Sequence, residues 1–143
     1  MFGRKKIRVR SVAKRVKFEF ESAEDVKERI HEIVNKLDLG HVDVINVYCV
    51  RSTGSGARAY ARIWGLSKIF QFAAGFKPTY VIEVLSHYYD KLSEEEKIKV
   101  LIHELMHIPK TFSGALKPHS GKHHRINSRE VNKLFQQYME VDL

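Results

Sequence analysis

Residues 93–109, SEEEKIKVLIHELMHIP, decide the fold, because they predict one amphipathic helix with both of its ends marked. Ser93 and Glu96 match a capping box, in which the serine side chain and the glutamate side chain each accept a hydrogen bond from a free N–H of the first turn. Apolar residues follow at helical spacing: Ile98, Leu101, Ile102, Leu105 and Ile108. Pro109 disfavours helical geometry at the residue before it. The stretch therefore predicts a core-facing helix over about 93–108.

The same helix carries the sequence HELMH at residues 103–107. Two histidines four residues apart are neighbours on a helix surface, so the imidazoles of His103 and His107 can bind one zinc ion. Glu104 is rotated about 100° from His103 and can point at a water molecule on the metal without being a ligand. This H-E-x-x-H arrangement is typical of zinc hydrolases. It predicts His103 and His107 as metal ligands and Glu104 as the general base.

A catalytic zinc ion needs a third protein ligand, and the sequence offers several candidates. Gly114 can turn the chain after the helix, and Pro118 stiffens the approach to His119. The loop over residues 109–118 can therefore bring His119 back to the metal, which makes it the favoured third ligand. The alternatives are His123, His124 and Glu130.

The rest of the chain alternates between helix and strand patterns. A small N-cap followed by acidic residues begins a helix near Ser22, and Gly40 ends it. The β-branched stretch 42–50 predicts a strand buried on both faces, and the alternation over 57–64 predicts a second strand. The remaining predicted elements are a few helical turns over 66–74, a strand over 79–85 and a helix over 127–140.

Length and composition favour one α+β domain. The chain has 143 residues, close to the usual size of one domain, and its single cysteine excludes a disulfide framework. Neither a membrane-spanning apolar run nor a secretory signal pattern is present in the sequence. We therefore expect a cytoplasmic protein without a membrane partner.

The positive charge is concentrated at the N-terminus. Residues 1–17 contain eight basic residues and no acidic residue, whereas residues 18–143 contain seventeen of each sign. Such a basic arm is typical of contact with nucleic acid, although an edge strand kept soluble by lysine and arginine has the same pattern. The sequence thus divides into an arm or edge strand over 1–17 and a domain over 18–143.

Three stretches carry a resemblance to a known family: ARAYARIWGL at 57–66, YVIEV at 80–84 and KVLIHELMHIPKTFSGALKPH at 99–119. They resemble the predicted zinc metallopeptidases of archaea and phages. The resemblance implies a minimal zincin domain, with a small, mostly antiparallel sheet of three to four strands and the H-E-x-x-H helix packed on it between flanking N- and C-terminal helices. It also implies His103, His107 and His119 as zinc ligands and Glu104 as the base.

The function predicted from these features is zinc-dependent hydrolysis of protein or peptide substrates. In zincins an exposed edge strand receives the substrate backbone, and strand 79–85 is predicted to have this role. The candidate donors to the transition state are Tyr88, Tyr89 and Arg125. Three alternatives remain, and in each the basic arm would contact nucleic acid: a nucleic-acid-binding zinc protein, a nucleic-acid-associated protease, and a zinc-dependent endoribonuclease, whose third histidine would fall where Ser113 stands.

Overall fold

The computed structural model describes residues 16–119 and 126–141, so most of the basic arm, His123, His124 and Arg125 lie outside the described residues. Four strands and five helices are present in these ranges, in an α+β arrangement. In chain order they are β1 (Glu19–Ser22), α1 (Glu24–Lys36), β2 (Val47–Thr53), β3 (Ala61–Gly65), α2 (Lys68–Ala74), β4 (Tyr80–Leu85), α3 (Ser86–Tyr89), α4 (Glu94–Met106) and α5 (Ser128–Glu140).

The four strands form one mixed sheet in the order β1-β2-β4-β3. β1 pairs with β2 and β3 pairs with β4 in antiparallel fashion, whereas β2 and β4 are parallel. Two of the three pairings are therefore antiparallel, as the sequence predicted. The prediction that strand 79–85 is an exposed edge strand is wrong, because β4 lies between β2 and β3. Among the described residues, β3 forms the edge of the sheet on the far side of β4 from β2.

Two strand boundaries also differ from the sequence-based prediction. Residues Val44–Asn46 form a 3₁₀ turn, so β2 begins only at Val47. The prediction that this strand is buried on both faces is wrong at Tyr48, which is exposed, whereas Val47 and Cys49 on the other face are buried. The alternation over 57–64 predicted a strand four residues earlier than Ala61, where β3 begins. Alternation of apolar and polar residues indicates which face of a sheet each residue lies on. The ends of a strand are set by its hydrogen bonds to the neighbouring strand.

The core lies between one face of the sheet and helices α1, α4 and α5. Helix α4 begins as its capping box predicts, with the Ser93 hydroxyl accepting from the Glu96 N–H at 3.2 Å. Its apolar stripe is buried in one cluster with residues of the other helices and of the sheet. The buried side chains of this cluster include Ile30 and Ile33 from α1, Leu101, Ile102 and Leu105 from α4, Phe135 from α5, and Val47, Ile82 and Val84 from the sheet. This packing fixes α4 against the sheet.

No helix among the described residues is long and apolar enough to cross a membrane.

Candidate metal centre

His103 and His107 lie on the last turn of α4. The helix ends at Met106, and His107 is its C-cap residue with helical backbone angles, so the two histidines keep their helical spacing. Their ring centroids are 5.2 Å apart. His107 is buried and His103 is half-buried, because the last turn passes from the core into a cleft.

The loop after Pro109 returns toward the helix, and glycines allow it to do so. Gly114 has a φ of +92°, which a side chain would disfavour. The loop also passes very close to the end of β3, where a Cβ on Gly65 would lie 2.0 Å from the Gly114 carbonyl oxygen. Backbone pairing then joins the returning chain to the helix end, since the Lys117 N–H donates to the His107 carbonyl at 2.8 Å.

The hydroxyl group of Tyr80 holds this loop in place. Tyr80 is fully buried at the start of β4, and its hydroxyl accepts a hydrogen bond from the Gly114 N–H at 2.9 Å. The same hydroxyl donates to the Ala115 carbonyl at 2.7 Å. Both backbone groups would otherwise lack a partner in the interior, so the hydroxyl fixes the path of the loop five residues before His119.

His119 completes a cluster of three imidazoles. Its Nε2 atom lies 3.1 Å from Nε2 of His103 and 3.1 Å from Nε2 of His107. One ring nitrogen from each of the three residues falls within 4.8 Å of the others. The structure therefore brings together the three histidines that the sequence singled out.

The orientation of the His107 ring is set by a backbone contact. Its Nδ1–H donates to the Lys117 carbonyl at 2.5 Å. A neutral imidazole that donates through Nδ1 presents an unprotonated Nε2, which is the form that binds a metal ion. The loop thus positions His119 and also fixes the tautomer of His107.

Burial keeps two of the imidazoles neutral. Burial, together with the neighbouring His107 and His119, lowers the pKa of His103 to about 4. Burial also lowers the pKa of His107, although the bond to the Lys117 carbonyl opposes that effect. Both rings are therefore uncharged at pH 7, as metal ligands must be.

Glu104 is the buried acid of this site. Its side chain is 7% exposed, and burial raises its pKa to about 7. No hydrogen bond from a described residue reaches its carboxylate, yet the residue lines the same cleft as the histidines. A carboxyl with a pKa near 7 can both accept and release a proton at neutral pH, as a general base must do.

A cleft of about 990 Å³ opens over the cluster, between α4, the approach to His119, the start of α5 and β3. The hydrogen-bonding pattern of β3 shows which of its backbone groups face this cleft. Tyr60 and Leu66, at the two ends of the strand, are bonded to Leu85 and Thr79 across the ladder. Because bonded pairs alternate in an antiparallel ladder, Ala61 and Ile63 turn their N–H and C=O groups away from β4. The edge beside the cleft therefore offers donors and acceptors that no described residue pairs with.

The other candidates that the structure describes are not part of this cluster. Glu130 is exposed near the start of α5 and lies outside the three-residue group. Tyr89 is buried, Tyr88 is half-buried, and neither lines the cleft, so the structure does not support them as transition-state donors. Histidines 123 and 124 and Arg125 lie outside the described residues.

Sequence reasoning missed Tyr80, although a signal was present. A tyrosine inside an apolar strand must find a partner for its hydroxyl once it is buried. The sequence alone could not show that this partner is the loop beyond Pro109, since the two segments meet only in the folded chain.

Replacing Tyr80 by phenylalanine should destabilise the loop and weaken metal binding. Two buried backbone groups would lose their partner, at about 1–3 kcal/mol for an unsatisfied buried group, and metal affinity should fall about 10- to 100-fold. Titration against a competing chelator measures the affinity. Tyr138→Phe is the matched control, because its hydroxyl contacts Arg29 and Glu32 and none of these three residues lines the cleft. Equal losses of affinity in both variants would contradict the positioning role of Tyr80.

Three imidazoles and a buried glutamate in one cleft of an α+β domain are the features of a metallohydrolase site. A family model with the description "Putative phage metallopeptidase" matches residues 18–139, so the chain belongs to that family. The match extends over most of the domain predicted for 18–143 and confirms the phage part of the resemblance.

No curated protein and no solved structure matches the chain.

Proposed function

We propose that this chain is a zinc-dependent peptidase in which His103, His107 and His119 hold the metal and Glu104 is the general base. The observation that carries the proposal is the convergence of three Nε2 atoms beside a buried carboxyl group. The metallopeptidase family supports the same class of reaction.

The distances within the cluster fit a zinc ion. Zinc bound to imidazole at about 2.0–2.1 Å with tetrahedral angles requires nitrogen atoms about 3.3 Å apart. The two measured separations from His119, both 3.1 Å, are close to that value. Three neutral nitrogen ligands also leave one position of a four-coordinate ion free, which is typical of catalytic rather than structural zinc sites.

Zinc, when bound, supplies a Lewis acid that polarises a carbonyl group and lowers the pKa of a water molecule to about 7. Glu104 is the group proposed to transfer the proton. Its carboxylate accepts the proton of the attacking water and then delivers it to the nitrogen of the leaving amine, so that the carboxylate is restored. Its burial keeps its pKa near that of the water, which makes transfer in both directions feasible.

The proposed binding site for the substrate backbone is the edge of β3. An extended peptide can add to a free strand edge through main-chain hydrogen bonds. The free groups of Ala61 and Ile63 lie where the cleft meets the sheet, so a peptide paired with them lies alongside the three histidines. The small side chains of Ala59 and Ala61 line the cleft at this edge and leave room for the substrate. Such pairing is independent of side-chain identity and suits a protein substrate.

Removal and replacement of the metal tests the proposal. The protein as purified should contain about one zinc ion per chain, and a chelator should abolish cleavage of a peptide library. Addition of zinc should restore cleavage at the same bonds, which mass spectrometry of the products identifies. The absence of bound metal even after zinc loading would overturn the proposal. So would cleavage that persists in the metal-free protein.

A further inference from the structure

Aromatic side chains lie exposed on the sheet face opposite the helical core. The strand register places Tyr48 and Trp64 in one row across β2, β4 and β3. Phe20 and Tyr60 fall in a second row, which crosses Ser52 and lies four residues further along the strands. Each of the four rings is half exposed or more. We define Phe20, Tyr48, Tyr60 and Trp64 as the aromatic face.

A buried ion pair orients the middle of this face. Glu83 is 1% exposed although it lies on the open side of the sheet. Its carboxylate accepts hydrogen bonds from Arg62 Nε at 2.8 Å, from Arg62 Nη2 at 3.2 Å and from Trp64 Nε1 at 2.9 Å. The Arg62 guanidinium lies 5.1 Å from the centre of the Trp64 ring. The indole is thereby held in one orientation before any partner arrives.

The charge around Tyr48, Tyr60 and Trp64 is suited to an anion, whereas the exposed Glu19 and Glu21 flank Phe20 on β1. No acidic residue occurs between Asp43 and Glu83, and the Glu83 charge is matched by Arg62. Arg58, just before β3, is exposed, and no ion pair joins it to a described residue. In the sequence, the eight basic residues of segment 1–17 precede β1, the strand that carries Phe20.

We propose that the aromatic face binds single-stranded nucleic acid, with bases stacked on its rings and the neighbouring basic residues near the phosphates. Exposed aromatic rings next to positive charge are the usual means of binding single strands, because every base has a π-face to stack. A fixed ring also loses little conformational freedom on binding. Of the four rings only Tyr60 also lines the metal cleft, so stacking on Phe20, Tyr48 and Trp64 needs no metal.

Loss of single rings tests the stacking. Binding of a fluorescently labelled single strand of about ten nucleotides is measured by anisotropy. Tyr48→Ala and Phe20→Ala should each weaken it about 5- to 100-fold, as expected for one lost stacked base. Phe72→Ala is the matched control, since Phe72 is 91% exposed but lies on α2 rather than on the sheet, and its affinity should stay unchanged. Peptide cleavage by Tyr48→Ala should also stay unchanged.

A second measurement separates stacking from charge alone. An abasic strand of equal length has the same phosphates but no bases, so it should bind the native protein much more weakly. Trp64 is the single tryptophan of the chain, and its fluorescence should be quenched by the normal strand but not by the abasic one. Equal binding of the two strands, or equal binding of a duplex, would overturn the proposal. Unchanged affinity in both ring variants would also overturn it. If the ring variants change the oligomeric state but not the affinity, the aromatic face is a contact between copies of the chain, and the proposal is again overturned.

Discussion

Replacing Glu104 by glutamine should lower peptide hydrolysis about 10²- to 10⁴-fold, which is the usual contribution of a general base. Glutamine keeps the size and shape of the side chain but cannot take a proton from water. Zinc content should stay at the native level, because the glutamate is not among the three clustered histidines. The rate of cleavage of the best library peptide and the metal content, measured on the same sample, check both expectations.

The matched control is Glu96→Gln. Glu96 lies on the same helix and lines the same cleft, but it is exposed and two helical turns before His103, so its loss should leave the rate nearly unchanged. Native activity in Glu104→Gln would contradict the proposed mechanism. A ribonuclease built on three histidines has no need of this carboxylate, so RNA cleavage that survives the substitution would favour that alternative.

The stability of the metal-free protein gives an independent check on Glu104. Burial raises its pKa to about 7, so the folded state holds the proton more tightly than the unfolded state. This contribution is present below about pH 4.5 and is lost as the pH rises toward 7. At pH 8 the metal-free Glu104→Gln protein should therefore be more stable than the native protein, by about 1–3 kcal/mol, and the difference should vanish at pH 4. Destabilisation at pH 8 would show that the carboxylate has a structural role.

Short-range features of this fold could be predicted from the sequence. The capping box of Ser93, the apolar stripe behind it and the four-residue spacing of His103 and His107 are all set within one helix. The return of His119 could be predicted because Pro109 ends the helix and Gly114 permits a turn. In each case the physical cause lies within a few residues of its effect.

Long-range pairing could not be predicted in this way. Strand 57–64 alternates and strand 79–85 is almost continuously apolar, which fits a central position, but neither pattern shows which strands pair with each other. The structure places β4 inside the sheet and β3 at its edge. The proposed binding site for the substrate backbone is therefore not strand 79–85 but the outward-facing backbone groups of Ala61 and Ile63. The loop contacts of Tyr80 were hidden for the same reason, because they join residues more than thirty positions apart.

The proposed role of His119 as the third metal ligand is the part of the site that mutation can test most directly. His119→Ala should weaken zinc binding by at least about 100-fold, since even the loss of an outer contact to a metal ligand costs 10- to 100-fold. His103 and His107 would remain, but two imidazoles leave half of a tetrahedral site unfilled. Competition with a chromogenic chelator measures the affinity directly and requires no peptide substrate.

The comparison with the other histidines decides the assignment. His123→Ala and His124→Ala should retain nearly native zinc affinity, and so should Glu130→Gln, because Nε2 of His119 already lies 3.1 Å from both helix histidines. The loop that delivers it is fixed by Tyr80 and by the pairing of Lys117 with His107, so the imidazole is in place before the metal binds. Native affinity in His119→Ala, together with a large loss in either of the other histidine variants, would transfer the third position to that residue and leave the 109–119 loop with a purely structural role.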